Sequence, residues 1–463
     1  MPQIRDPIHG FVEVSDLELK VIDSPPFQRL RNIRQLATSY LVYPGAEHTR
    51  FGHSIGVMYL VSKAFDSAVN NFKLRNNREL FCETEEKWYR QILRLIALTH
   101  DLGHAPFSHA FEAIFGKEQK DSARGKRIKH EHFTMKIICE TEIANCIKQI
   151  SDDFLSANFE IGDDKKKDYE ITPELLWLIY GQRNPESDER YRPREFKLLR
   201  GFMDSELDCD KMDYLLRDSY YCGVNYGRYD VDRLISSLTI YNNEDDNVYQ
   251  LAIERGGIHA FEEFVIARYF MFIQVYFHKT RRYLDHLLLE AIKDLNLEEI
   301  NKDYPTDKYL KYDDNIILEG LKTKAREGKE RAISFLERNL RSCVYETRTH
   351  SNSRDEDVIY NNIYNRLVET FDKSSVWIDK VVKEAHKMPV FGKYDDPSGK
   401  GIPVIVKHSI KARDVIEESL LLSSFESPIN IKRLYVDKNK KREAEAIVRR
   451  FFDEQLQSQE EEE

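Results

Sequence analysis

Several features that would mark other kinds of protein are missing from this chain. Its six cysteines stand at 82, 139, 146, 209, 222 and 343 with no Cys-x-x-Cys pair among them. They read as reduced, mostly buried thiols of a cytoplasmic protein. No run of about eighteen apolar residues occurs, so no membrane span is expected. The opening MPQIRDPIHGF lacks the basic-then-apolar pattern of a secretory signal. Neither GxxxxGK[ST] nor GxGxxG is present, which leaves ATP-driven and dinucleotide chemistry without support. No internal repeat is visible. Positive charge is also short: 70 basic against 80 acidic residues give a net charge of −10. That argues against a wholly basic surface for polyanions, so nucleic acid is not indicated as a partner. A local basic pocket for a small anion is still allowed.

What is present is an ordinary globular composition, 41% hydrophobic and 32% charged over 463 residues. The length allows two or three domain-sized units, or one large core with additions. Helical periodicity dominates residues 1–290. FGHSIGVMYLVSKAF (51–65) and RQILRLIALTHDL (90–102) carry apolar residues at three- and four-residue spacing. So does 256–292, which is too long for one uninterrupted surface helix and reads as central to the fold. Residues 116–130 are polar and Gly-containing, a loop by composition. Beyond about 295, charge density rises and two alternating stretches appear, GIPVIVKH (401–408) and INIKRLYVD (429–437). They read as strands of a small C-terminal α+β unit. The expected fold is mainly α: a helical core over 1–295, an α+β region over 296–455, and an acidic disordered tail over 456–463.

The chemistry concentrates in THDLGHAPFSHAFE (99–112), which holds three histidines and two acidic residues. A helix that only needed burial would not end in His100, Asp101 and His104. Pro106 suits the first turn of a new helix, on which His109 and Glu112 would share a face. An HD dipeptide alone is most often structural. HTRFGHSIGV (48–57) adds His53 at a helix start with Arg50 just ahead, a pattern that by itself usually marks a cap or a surface. SELDCDKMDYLLRDSYYCGV (205–224) adds acids. Ser205 and Asp208 resemble a capping box. From Asp210 the helix groups Asp213, Tyr214, Arg217 and Asp218 on one side, opposite Leu207, Met212, Leu215 and Leu216. That helix reads equally well as an amphipathic surface helix with a weak Asp213–Arg217 pair. Together, the histidines and aspartates compose a mixed N/O set suited to Fe, Mn or Zn, with Mg favoured where water and phosphate oxygens complete the sphere.

In this order, RFGHSIGV, HDLGHAPFSH and LDCDKMDYLLRDSYYCGV resemble the HD-domain metal-dependent phosphohydrolases. More narrowly, with DPIHGFVEV and FQRLRNIRQLATSYLVYPGAEHTRFGHS, the chain is similar to the deoxynucleoside triphosphate triphosphohydrolases of the SAM-and-HD-domain type and their bacterial relatives. The resemblance is close over 1–290 and weak to about 450. It implies an HD-domain helical core, with His53, His100, Asp101 and Asp210 as metal ligands. His104, His109, Glu112 and His130 match catalytic positions, Glu112 standing where the family usually has Asp. Arg50, Lys211 and Arg268 match positions that grip a triphosphate; Gln35, Tyr214 and Asp218 match sugar contacts. Tyr276 matches the residue packed against the 2′ edge, where it would exclude a hydroxyl.

The resemblance further implies an activating guanine nucleotide, GTP or dGTP, at Asp23, Gln28, Arg31 and Arg233, and a homo-oligomer, dimer or tetramer. Phe272 and Phe277 depart from the vertebrate His and Gln near the base. Arg5 and Glu254 depart from the vertebrate Asn and Arg of the activator site. The expected function is hydrolysis of a deoxynucleoside triphosphate (dNTP) to deoxynucleoside and inorganic triphosphate. Two alternatives stand beside it: an HD-type phosphodiesterase or nucleotidase on another nucleotide, and a nucleotide or single-stranded nucleic-acid binding regulator without turnover.

Overall fold

The stretch 51–65 lies inside one long helix, Arg50–Asn76, whose residues Phe51 and His53 to Met58 are all buried. A helix covered on nearly every side belongs in the middle of a core rather than at its surface. It packs against the helices Glu83–Thr99 and Cys209–Cys222, and those three supply most of the candidate site. Helix accounts for 62% of the described residues, so the fold is mainly α, as expected. The computed structural model describes residues 1–108, 111, 128–160, 162–180, 193–244, 247–383, 401–407, 412–425 and 427–460. His109, Glu112 and most of the expected loop 116–130 lie outside the described residues. Among those described, no helix is long and apolar enough to cross a membrane.

Two compact units divide the chain. One comprises Met1–Arg268, Leu297–Glu319 and Lys387–Ser423; the other comprises Tyr269–Asn296, Gly320–His386 and Ser424–Glu463. The first unit opens with an antiparallel hairpin, Gln3–Asp6 against Gly10–Glu13. A helix with a complete Ser15/Glu18 capping box follows, Asp16–Asp23. This unit also holds a four-stranded sheet. Leu238–Asn243 pairs antiparallel with Val248–Glu254, which pairs parallel with Pro403–Ile405, and Arg413–Asp414 closes the edge. The second unit holds a three-stranded antiparallel sheet in which Ile429–Val436 lies between Ser342–Glu346 and Val376–Lys383. Its core joins Leu434 and Val436 to Tyr360, Ile363 and Leu367 of the helix Arg354–Thr370 and to Phe451.

The two alternating stretches near the C-terminus are therefore both strands, but they belong to different sheets in different units. Alternation reveals a half-buried strand and says nothing of its partner, because strand pairing is non-local. The stretch 256–292 is broken, as its length requires: Ile258–Met271, a π-helical turn Phe272–Tyr276, then Lys279–Ile292. The final helix Lys441–Glu460 continues into the run read as a disordered tail. Its i,i+4 pair Lys441–Glu445 is the kind that supports a charged helix.

Candidate metal centre

The helix Glu83–Thr99 ends with His100 at its C-cap, so the HD dipeptide sits where regular hydrogen bonding stops. The turn after it is held from several sides. Arg29, buried, donates to Leu102 O and His104 O; Tyr309 Oη donates to Gly103 O at 2.6 Å. Thr134 accepts from Gly103 N and donates to His100 O, both at 3.0 Å. Gly103 is required here, because a Cβ would lie 2.1 Å from His130 O and 2.2 Å from Thr134 N. Beyond the turn, Phe107 and Ser108 both adopt positive φ, 51° and 52°. Neither is glycine, so this backbone is strained. Ser108 Oγ accepts from Arg50 Nε at 3.1 Å and from its second guanidinium nitrogen at 2.8 Å.

Three donor atoms converge. His53 on the long helix, His100, and Asp210 in the first turn of Cys209–Cys222 place one ligand atom each within 4.8 Å of one another. His53 Nε2 is 2.9 Å from Asp210 Oδ1, and His100 Nε2 is 3.7 Å from the same oxygen. The tautomers are fixed from behind. His53 Nδ1 donates to Asp213 Oδ2 at 2.8 Å, and His100 Nδ1 donates to Ala97 O at 2.7 Å. Each ring thus turns Nε2 toward Asp210, the nitrogen that would serve as the ligand once its proton gives way to a metal. His100 Nε2 is buried and makes no hydrogen bond among the described residues. A buried ring nitrogen left without a hydrogen-bond partner is costly unless a cation or water meets it. The residues present therefore fit a divalent metal.

Asp101 stands beside this set rather than within it. Its Oδ2 is 2.5 Å from an Arg50 nitrogen and 3.8 Å from His53 Nε2; its Oδ1 is 3.3 Å from His100 and 3.2 Å from His104. Burial opposes ionisation of Asp101, but Arg50 and the two histidines outweigh it and hold the carboxyl well below its usual range. Burial also opposes the charge on His53, yet its bonds to Asp210 and Asp213 lift it to about 10. Asp210 is lowered for the reciprocal reason: desolvation is overcome by His100 and His53. His104 goes the other way. Burial first, then the charges of Arg50 and His130, push it well below an ordinary histidine. It stacks on His130, the first residue of the helix His130–Glu140, with centroids 3.7 Å apart.

The other sequence candidates are placed as follows. Lys211 donates to Asp208 Oδ2 at 2.5 Å and to Ser205 O at 2.9 Å. Arg268 pairs with Glu206 at 2.6 Å. Lys211 and Arg268 both act on the phenol of Tyr214, which burial pushes up to about 12. Asp218 is buried and accepts from His48 Nε2 at 2.7 Å. Gln35 N bonds His48 O, and Gln35 Oε1 is buried without a partner among the described residues. Tyr276 belongs to the second unit, in its π-helical turn. Asp23 ends the helix Asp16–Asp23; Gln28 donates to Ile22 O and accepts from Arg31 Nε at 2.8 Å. Arg31 also lies 3.5 Å over the Phe51 ring, while Arg233 donates to Gly256 O.

Two readings of the helix 209–222 are corrected by the structure. The cap is Asp208, which accepts from Lys211 N, and Ser205 N bonds Asp208 in turn. Asp208 stands immediately before the helix, where its carboxylate reaches the exposed N–H groups of the first turn, while Ser205 lies three residues too early to do so. Nor does the polar side of this helix face water. Asp213, Arg217 and Asp218 are all at most 1% exposed. Arg217 donates to both Asp213 oxygens at 2.8 Å and to Asp6 Oδ2 at 2.8 Å. His9, whose Nε2 lies 2.6 Å from Asp213 Oδ1, is a site neighbour that sequence reasoning missed. Its signal was the quoted DPIHG, which offered no clue to a partner 204 residues away.

Residues 50–180 match the HD domain, and 229–370 match the HD associated region. The chain belongs to the HD-domain phosphohydrolase family. A solved structure of a hypothetical protein from Aquifex aeolicus superposes with a TM-score of 0.70 at 30% identity, covering 96% of this chain and 99% of that one. An uncharacterized protein of Bacillus subtilis is 33% identical over 62% of this chain and 54% of its own length. The deoxynucleoside triphosphate triphosphohydrolase SAMHD1 homolog of Dictyostelium discoideum is 31% identical over 68% of this chain and 51% of its own. The chain spans about half the length of the curated relatives it matches. The HD-domain match and the His/Asp cluster together mark a candidate divalent-metal site.

Proposed function

We propose that this protein hydrolyses deoxynucleoside triphosphates to deoxynucleoside and inorganic triphosphate, in the cytoplasm. The observation that carries the reading is the junction of two charge patterns on one helix. Asp210 belongs to the His/Asp cluster, and Lys211, the next residue, lies within electrostatic range of Arg268 and Tyr214. A polyphosphate ester lying along that helix would meet the metal ligands at one end and cations at the other. His53, His100 and Asp210, with Asp101 alongside, would hold a divalent ion, which would supply Lewis acidity for phosphate charge and for a bound water. Mn, Fe or Zn suits the nitrogen ligands, and Mg the phosphate oxygens.

The chain's own residues have distinct tasks in this reading. Arg50, Lys211 and Arg268 hold the three phosphates. Gln35, Tyr214 and Asp218 hold the sugar, and Tyr276 crowds its 2′ edge. His109, helped by the acid Glu112, protonates the departing 5′ oxygen, and His104 and His130 complete the catalytic set. A guanine nucleotide at Asp23, Gln28, Arg31 and Arg233 stimulates the reaction and stabilises an oligomer. Support for the substrate comes from the named activity of the Dictyostelium relative. The test is the product. Incubation of the pure protein with each dNTP under Mn²⁺ should release inorganic triphosphate as the first product, faster with GTP present. Pyrophosphate or orthophosphate as the first product would refute it and favour the phosphodiesterase or nucleotidase reading.

A further inference from the structure

Behind His53 lies a buried network that the proposed chemistry does not use. Asp213 is completely unexposed, and both of its oxygens are saturated. Oδ1 accepts from His9 Nε2 (2.6 Å) and Arg217 (2.8 Å); Oδ2 accepts from His53 Nδ1 (2.8 Å) and Arg217 Nε (2.8 Å). Four donors account for the two lone pairs on each oxygen, so the carboxylate has no free direction in which to rotate. The network closes on the N-terminal hairpin. Asp6 Oδ2 accepts from Arg217, while Asp6 Oδ1 accepts from the backbone N–H of Ile8 and of His9 at 2.9 and 3.0 Å. One residue therefore holds both the arginine that grips Asp213 and the turn that carries His9. Tyr59 covers the His9 ring at 5.1 Å between centroids. Gly56, three residues after His53, lets Asp213 approach the long helix: a Cβ there would sit 1.9 Å from Oδ1.

We propose that His9 is a positioning residue of the metal centre, acting through Asp213 to fix the ring and tautomer of His53. The proposal rests on His53 being a metal ligand. His9 touches neither His100 nor Asp210; its effect passes through one carboxylate. Without its N–H, Oδ1 keeps only Arg217, and the carboxylate is free to turn toward the guanidinium and away from His53. Loss of a partner bonded directly to a ligating histidine typically lowers metal affinity about 10–100-fold, and His9, one contact further out, should cost the lower part of that range.

The test measures binding of Mn²⁺ alone to the full chain by calorimetry, beside melting curves of the metal-free proteins. His9→Leu and His9→Asn remove the donor or its reach, His9→Gln restores a side-chain N–H, and His53→Ala is the control. The expected result is weakening of about tenfold in His9→Leu and His9→Asn, most of it recovered in His9→Gln, with only a small drop in metal-free melting in any of the three. Wild-type affinity in His9→Leu, beside loss in His53→Ala, overturns the proposal and leaves the ligand set standing. Equal weakening in all three His9 variants with a matching drop in metal-free melting overturns it too, since His9 would then be only structural. Wild-type affinity in His53→Ala overturns the ligand reading itself.

Discussion

Asp213 and Lys211 lie two residues apart on one helix, yet the regions they face are built on opposite principles. Behind the helix, Asp213 sits in a closed network in which every lone pair has a donor and nothing is exposed. In front, Lys211, Arg268 and Arg50 lean on Asp208, Glu206 and Asp101, carboxylates that an incoming polyphosphate would displace. Among the described residues, His48 Nδ1 and Gln35 Oε1 are buried without a hydrogen-bond partner. Buried polar groups are normally matched, so unmatched ones call for a ligand or water. The contrast teaches where to look: a finished network is scaffold, and an unfinished one is a site.

That contrast can be broken experimentally, starting with its most rigid element. Arg217→Met leaves two buried carboxylates, Asp6 and Asp213, without their shared cation. Breaking a buried pair in this way costs about 3–5 kcal/mol, read as a lower urea midpoint. A loss under 1 kcal/mol would mean the network carries little of the fold. Lys211→Met should behave differently. Burial already raises Asp208 to about 6 despite Lys211, so the carboxyl can take a proton once the lysine is gone, and stability should fall less than in Arg217→Met. The dNTP KM should instead rise about tenfold to a hundredfold, the worth of one charged hydrogen bond of about 1.5–3 kcal/mol. An unchanged KM would remove Lys211 from the phosphate grip. Gly56→Ala forces a methyl against Asp213 and should cost about 1–3 kcal/mol by overpacking, measured by the same denaturation.

The smallest effect is a proton count. In the metal-free protein the His53 pKa of about 10 exceeds the unfolded value of 6.5. Its stabilisation of the metal-free fold is fully present below pH 6.5 and is lost as pH rises through 10. Metal binding needs the neutral ring, so the dependence reverses for affinity: binding weakens as pH falls. At pH 8, calorimetry in two buffers of different ionisation enthalpy should show at least about one proton released per Mn²⁺ bound, from His53. No release would mean His53 is neutral before metal arrives.

Much of this was legible in the residues. Three- and four-residue spacing marked the helices carrying His53 and His100, and the motif around 99–112 placed His100 and Asp101 at a buried helix end. What the sequence concealed was burial and partnership at long range. Asp213, Arg217 and Asp218 share the polar side of their helix, and polarity there passed for exposure. Periodicity reports which residues share a side, and it cannot say that the side faces another charged surface. His9 was hidden for a related reason: its partner lies across the chain, and a lone histidine in a turn has no periodicity to betray it. Pro403–Ile405 was recognisable as a strand, but its parallel partner Val248–Glu254 was not.

The central claim is that His53, His100 and Asp210 hold one divalent ion. The direct measurement is metal content by elemental analysis after equilibration with Mn²⁺ and gel filtration, for wild type and the His53→Ala, His100→Ala and Asp210→Ala variants. The account predicts a bound ion in the wild type and its loss in each variant, with circular dichroism unchanged. Full metal content in the three variants would contradict it.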